Sequence, residues 1–341
     1  MRTITVALDA MGGDFGPCTT VPAAVQALSI LPELKVILVG DHSLISSQLS
    51  SIGAYPKDRI QIQHADKVIS DEEKPSKSLR HGKGSSMWET VDLVESGQAQ
   101  ACVSGGNTGA LMALSRYRLK LLPGIERPAL VSALPTRSGQ KVWLLDLGAN
   151  VSVEAEQLFQ FAIMGQALAE QHLNREPRVA ILNVGEEEVK GNDLVRSCAE
   201  KLTNTPSINY TGFVEAHHLL QDEADVVVCD GFVGNVCLKA SEGVANLFLE
   251  QLRRHMCQSR IKSWLAKIFF GGLISDLKKM NPDQYNGASL LGLRGIVIKS
   301  HGSADKTAII NAILEAVHEV KRQIPSRISD RLETVLLERQ Q

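Results

Sequence analysis

One local pattern recurs along the chain: a short apolar run, a loop rich in Gly, Asn, Ser, Thr and Asp, then an amphipathic stretch. Apolar runs at 3–8 (TITVAL), 35–39 (KVILV), 60–63, 101–103 (ACV), 142–145 (VWLL), 179–183 (VAILN) and 225–229 (DVVVC) read as strands. Residues 21–31 and 85–96 read as helices. Strands that alternate with helices need crossover connections, which set them parallel in one sheet with helices on its faces. The expected fold is therefore α/β, a three-layer α/β/α sandwich with a mostly parallel sheet. At 341 residues the chain suits one large domain or two lobes. The expected layout is a single catalytic domain of two intertwined lobes over 1–325 and a helical tail over 326–341.

The loops at the strand ends share one chemistry. They are 9–16 (DAMGGDFG), 104–109 (SGGNTG), 146–150 (DLGAN), 183–185 (NVG) and 230–235 (DGFVGN). Ligands of open α/β sheets bind where strand ends meet helix N-termini. Glycine lets backbone N–H groups approach a small oxyanion, and the following helix adds a favourable dipole. Each loop alone could be a plain turn; five together point to a phosphate or carboxylate site. Gly12, Gly13, Gly105, Gly106, Asn107 and Thr108 are the candidate cradle. Ser104, Asn150, Asn183 and Gly234 complete the expected substrate-binding set with Asp9, Asp14 and Asp146. Carboxylates repel phosphate, so these aspartates and Asp230 are expected to orient Lys190, His301 or loop backbone. Ser104 reads as a polar loop residue rather than an activated nucleophile, and Cys102 as core.

Several classes are excluded or disfavoured. There is no G-x-x-x-x-G-K-[ST], no G-x-G-x-x-G opening the first βα unit and no G-x-S-x-G elbow. Lys+Arg numbers 36 against 38 Asp+Glu, and aromatics are 4%, a poor match to a nucleic-acid binder. The six cysteines form no C-x-x-C pair, so neither a disulfide scaffold nor a structural metal site is expected. The start, MRTITVALDA, has no apolar signal core, and no run approaches the ~20 apolar residues of a membrane span. The expected location is cytoplasmic, with contact to a membrane surface left open.

The loops as a set resemble those of the bacterial phosphate acyltransferase family PlsX, the acyl-acyl-carrier-protein:phosphate transacylases of phospholipid synthesis. The matching residues are 9–17 (DAMGGDFGP), 104–110 (SGGNTGA), 145–150 (LDLGAN), 183–187 (NVGEE) with Lys190 and Gly191, 230–235 (DGFVGN), 287–292 (GASLLG), and His301 with Gly302. The likeness runs from residue 1 to about residue 320. It implies a fold similar to isocitrate/isopropylmalate dehydrogenases and phosphate acetyltransferases. It implies that an acyl-carrier-protein thioester and inorganic phosphate give acyl phosphate and free carrier protein. It further implies a homodimer, no metal or organic cofactor, and a product that feeds a membrane-bound glycerol-3-phosphate acyltransferase.

Such a reaction needs donors more than a triad. Phosphate is already an anionic nucleophile, and a thiol of pKa about 8.5 leaves readily as thiolate. The protein must hold phosphate against the thioester and stabilise the tetrahedral oxyanion. Lys190, Asn235 and His301 are the expected catalytic residues. Lys190 either neutralises an anion or balances Glu186–Glu188; Asn235 either donates to an oxyanion or caps a helix; His301 either donates to phosphate or sulfur or is structural. The loop at 72–83 (EEKPSKSLRHGK) is a gate or a solvated loop.

A protruding amphipathic helical segment is expected at about 246–281. Between residues 247 and 280, Arg253, Arg254, Arg260, Lys262, Lys267, Lys278 and Lys279 face only Glu250 and Asp276. Trp264, Leu265, Ile268, Phe269 and Leu273 recur at near-helical spacing and are the expected membrane contacts. An anionic membrane surface, the acidic carrier protein or a second copy could each cover it. Three readings compete with the acyl-carrier one: a coenzyme A-dependent phosphate acetyltransferase, a fold-related dehydrogenase and a non-catalytic membrane scaffold.

Overall fold

The computed structural model describes residues 3–187, 189–256 and 287–339. In chain order the elements are β1 (Ile4–Asp9), α1 (Pro17–Ile30), β2 (Leu34–Gly40), α2 (His42–Ile52), β3 (Ile60–His64), α3 (Pro75–His81), α4 (Ser86–Glu95), β4 (Ala101–Ser104), α5 (Thr108–Leu119), β5 (Ala129–Pro135) and β6 (Lys141–Leu145). They continue with α6 (Ala155–Glu170), β7 (Val179–Asn183), α7 (Asp193–Thr203), β8 (Tyr210–Glu215), β9 (Val226–Val228), α8 (Gly231–Met256), β10 (Ala288–Leu291), β11 (Ile296–Lys299), α9 (Lys306–Arg322) and α10 (Ile324–Glu338).

Eleven strands form one sheet in the order β3-β2-β1-β4-β11-β10-β5-β6-β9-β7-β8. β1, β2, β4, β6, β7 and β9 are buried on both faces, which is why they read as apolar runs rather than alternating ones. In β1, Val6 and Leu8 join the core under α1 and α9, and Ala7 joins the core on the opposite face. In β6, Trp143 and Leu145 meet α6, and Val142 and Leu144 face the other way. Helices α1, α2, α6, α7, α9 and α10 thus cover one face, and α3, α4, α5 and α8 the other. The last helix is part of this packing. Ile324, Ile328, Leu332 and Val335 of α10 are buried in the same core as α6.

Runs at 129–135, 210–215, 288–291 and 296–299 escaped the reading of the sequence, and three of them decide the topology. The outer pairings are parallel, but β10 is antiparallel to both β11 and β5, and β5 is antiparallel to β6. Two parallel half-sheets are therefore joined through an antiparallel centre and point in opposite directions. The glycine-rich loops after β1, β4 and β11 end one half. Those after β6, β7 and β9 end the other half at the opposite edge. What lies between them is the exposed face of β5 and β10, crossed by α8.

The expected membrane contacts Trp264, Leu265, Ile268, Phe269 and Leu273 lie outside the described residues, as does most of the 246–281 segment. α8 carries the chain up to its start.

Candidate active site

A cleft of about 630 Å³ opens on the face of β5 and β10, between the two sets of loops. Leu130 and Leu134 of β5, Ala288 of β10, Leu147, and Leu238 of α8 make it largely apolar. One end is polar and charged, lined by Gly105, Gly106, Asn107, Thr108, Lys299 and His301, with Asp71, Lys239 and Glu242 beside them. The other holds Gly148 and Asn235.

The polar end is built by three loops in backbone contact. Asp14 N donates to Gly302 O at 2.8 Å, and Ser300 N to Ser104 O at 2.9 Å. A side chain at Gly12 would meet Asp9 Oδ2 and Gly106 N, each at 2.9 Å. Gly13 has φ +86°, and its missing side chain leaves room for Gly302 O. Asp9 is buried beneath them, accepting from Ser104 Oγ at 2.7 Å, and burial pushes its carboxyl up. Ser104 is committed to Asp9 and accepts from Gly106 N at 3.2 Å, which makes it a loop organiser and not a free nucleophile. Asn107 caps α5 by accepting from Ala110 N at 2.9 Å, while its amide nitrogen ties down the backbone of Asp71 and Glu73.

Two cations stand at this end that the sequence reading passed over. Lys299 Nζ donates to Gly105 O at 3.1 Å and to Ser300 O. Burial pushes its ammonium down to about 8, against the pull of Asp71, Asp9 and Asp14. Lys239 Nζ, one of the exposed groups of α8, lies 3.0 Å from His301 Nε2 and 2.8 Å from Glu242. The usable signal was position: Lys299 ends the apolar run IVIK, two residues before His301.

At the far end Asp146 organises the loop after β6. Its carboxylate accepts from the N–H groups of Leu130, Gly148, Ala149 and Asn150 at 2.7–3.2 Å, and from Asn150 Nδ2 at 2.8 Å. Burial pushes it up and these donors pull it back. Asn150 also donates to Pro128 O at 2.7 Å, so both side chains are consumed in holding the loop. Gly234 packs against Asp146 O with no room for a side chain. Asp146, Asn150 and Gly234 therefore shape the rim and do not themselves line the cleft.

Asn235 does line it. Asp230 Oδ1 caps α8 by accepting from Val233 N at 2.8 Å, which removes the capping alternative for Asn235. Asn235 sits one turn in, exposed, over Gly148, whose added Cβ would lie 3.5 Å from Asn235 Cβ. Gly148 has φ +116° and supplies the space.

Asn183 ends β7 and Lys190 stands on the loop after it, beside the α8 N-terminus, because β7 pairs with β9. Neither lines the cleft as it stands. Lys190 Nζ is 4.0 Å from Glu187 and half-exposed, and Asn183 Nδ2 donates to Gly185 O at 2.9 Å.

Residues 4–327 match the family described as fatty acid synthesis protein. The chain belongs to that family. A phosphate acyltransferase of Vibrio atlanticus (strain LGP32) is 70% identical over 339 residues, 99% of each chain. One of Vibrio campbellii (strain ATCC BAA-1116) is 69% identical over the same share. The chain is thus an enzyme, an acyltransferase. Its fold is similar to a phosphotransacetylase from Streptococcus pyogenes (TM-score 0.62, 18% identity, 94% of each chain covered). A 4-hydroxythreonine-4-phosphate dehydrogenase from Klebsiella pneumoniae is also similar (TM-score 0.53, 14% identity, 94% of this chain and 98% of that one). These two bear out the expected kinship of fold.

Proposed function

We propose that this family member takes its acyl group from an acyl-carrier-protein thioester and passes it to inorganic phosphate in one step. The transfer of an acyl group to phosphate follows from the family and its relatives; the carrier and the mechanism are this reading. The observation that supports it most is the cleft's polarity. A glycine-lined end that carries Lys239 and Lys299 sits beside an apolar trough with an uncharged amide donor at its other end.

Phosphate binds at Gly105, Gly106 and Lys299, with Lys239 and His301 closing the shell. The thioester lies along the trough with its carbonyl toward Asn235. A phosphate oxygen forms the bond to the acyl carbon, the C–S bond breaks, and the carrier thiolate leaves with a proton taken up from His301 or water. Asn235, with Lys190 approaching from the neighbouring loop, stabilises the tetrahedral oxyanion. A covalent acyl-enzyme has little support. Burial pushes the thiols of Cys102 and Cys229 up and leaves them inert inside the sheet. Ser104 is held by Asp9.

The test is phosphate-dependent release of free carrier thiol from a long-chain acyl-acyl-carrier protein, with the coenzyme A thioester as control. Acyl label retained on the enzyme as a competent species without phosphate would overturn direct attack. Preference for the coenzyme A thioester would overturn the carrier.

The chain is further proposed to act as a homodimer at the inner face of the membrane, passing its product to a membrane-bound glycerol-3-phosphate acyltransferase. Phe232, Val236, Val244, Leu247 and Phe248 leave an exposed apolar side on α8 that suits a second copy. Among the described residues no helix is long and apolar enough to cross a membrane. The basic, aromatic composition of 247–280 suits anionic lipid.

A further inference from the structure

The face opposite the catalytic cleft carries a second cavity. α9 packs with α1 on one half-sheet and α6 packs with α10 on the other. Between α9 and α6 the two helix pairs leave a gap over the antiparallel centre of the sheet. A cavity of about 210 Å³ remains there. That is room for about seven waters at liquid density, below the ~300 Å³ at which drug-sized ligand sites begin.

Its walls combine three features. Val131 of β5 and Leu168 of α6 are apolar. Trp143 of β6 presents an aromatic ring, already 5.2 Å between centroids from His172. Glu315 and Glu319, one turn apart on α9, supply the carboxylates of the lining among the described residues. Glu319 is 2% exposed, and its Oε1 has no hydrogen-bond partner. The hydroxyl of Ser289 is its one hydrogen-bonding neighbour. An acceptor left this way is destabilising unless something donates to it.

The surrounding charges do not do so. His318 Nδ1 is 3.9 Å from Glu315, not Glu319. Arg322 Nη1 lies 3.0 Å from His172 Nε2. Lys141 is exposed at the rim. Burial first, and then Glu315, push Glu319 up to about 8. Burial works against Glu315 too, but His318 and Lys141 outweigh it and hold that carboxyl below the usual range. The pair therefore shares one negative charge near neutral pH, with an open acceptor and an aromatic wall beside it.

We propose that this cavity binds a small organic ammonium ion, its N–H groups donated to Glu319 and Glu315 and its carbon chain laid against Trp143. A protonated amine meets each feature at once: it donates to the vacant acceptor, pairs with the carboxylate, and gains from the indole ring by a cation–π contact. A bare alkali cation would use the oxygens and leave the apolar wall wet.

The full-length protein is titrated with 1,4-diaminobutane hydrochloride, following tryptophan fluorescence and calorimetry, against potassium chloride at matched ionic strength. The expected result is saturable binding of the diamine, absent in Trp143→Phe by fluorescence and weakened about tenfold or more in Glu319→Gln. Neither variant touches the catalytic cleft, so acyl transfer should persist in both and report that they are folded. Glu315→Gln repeats the measurement should Glu319→Gln fail to fold, with the same expected loss. No saturable binding to the wild type, an equal response to potassium, or undiminished affinity in the folded carboxylate variants would overturn the proposal.

Discussion

Lys299 Nζ reaches back 3.1 Å to the carbonyl of Gly105, joining the last residue of β11 to the glycine loop after β4. The contact places a partly desolvated ammonium at the floor of the cleft's polar end, against backbone that cannot itself carry charge. Because β11 and β4 are parallel neighbours, with Lys299 opposite Ser104, the geometry is set by sheet register and not by a mobile loop.

With phosphate bound as proposed, that ammonium should make phosphate use pH-dependent. Burial depresses Lys299 to about 8, so it is charged below that pH and neutral above it. In the free enzyme kcat/KM for phosphate should fall as pH rises through about 8. Lys299→Arg should move the fall to higher pH, since guanidinium stays protonated. Lys299→Met should raise KM for phosphate at pH 7 more than it lowers kcat. A flat profile from pH 7 to about 9.5 in the wild type would remove Lys299 from phosphate binding.

Asn235 offers a donor that the fold does not need. It is exposed, it is not the cap of α8, and Gly148 beneath it leaves space for a reacting group. Asn235→Ala should lower kcat by about 10²–10³ with little change in melting temperature. Asn235→Asp should do at least as badly, since a carboxylate cannot donate and would repel the oxyanion. Wild-type turnover in Asn235→Ala would end its assignment.

Much of this was readable from residue types alone, and the gaps have physical causes. Buried parallel strands advertise themselves by continuous Val, Ile and Leu, so β1, β2, β6, β7 and β9 were found from pattern. β10 is four residues long and β5 mixes Ser and Pro with its apolar residues, so neither gave a run. Those two strands reverse the second half-sheet. Without them the glycine loops look like one rim, when they are two rims facing across a trough. The same gap hid Lys299, since a lysine ending a strand has no local signature until its neighbour is known. Asp146 holds loop backbone, one of the tasks expected of it, and Asn150, expected at the substrate, joins it there. Their side chains hold the loop from inside, which only the hydrogen bonds from four backbone N–H groups reveal.

Gly234 tests how two loops of one rim, those after β6 and β9, are locked together. It lies in the first turn of α8, directly on the carbonyl of Asp146, and a methyl group there would overlap that oxygen. Backbone on both sides leaves nothing flexible to move aside. Gly234→Ala should destabilise the protein by about 1–3 kcal/mol or more and displace Asn235 one residue further along the helix. Thermal melting and turnover should therefore fall together. Gly243, on the same helix with open space around it, is the control: Gly243→Ala should leave both unchanged or raise stability slightly.

Glu319 should make the fold less stable as pH rises. Its carboxyl is raised by burial to about 8 in the folded protein and titrates near 4.5 when the chain is unfolded. Between those values the folded state holds a proton that the unfolded state has lost. Stability must then decrease with increasing pH across that window, and it is fully present only below the unfolded value. Glu315, depressed in the folded state, has the opposite slope, but its window lies below 4.5 and does not mask the effect. The other groups around the cavity are Lys141, His318, His172 and Arg322. His172 is pushed down by burial, so the unfolded state binds its proton more readily and stability rises with pH up to the ordinary histidine range. Comparison with a variant isolates Glu319 from that term. Glu319→Gln keeps the shape and removes the titration, so its melting temperature should exceed that of the wild type increasingly from pH 5 to pH 8. A constant difference between the two proteins over that range would show that Glu319 titrates normally and that its burial carries no electrostatic cost.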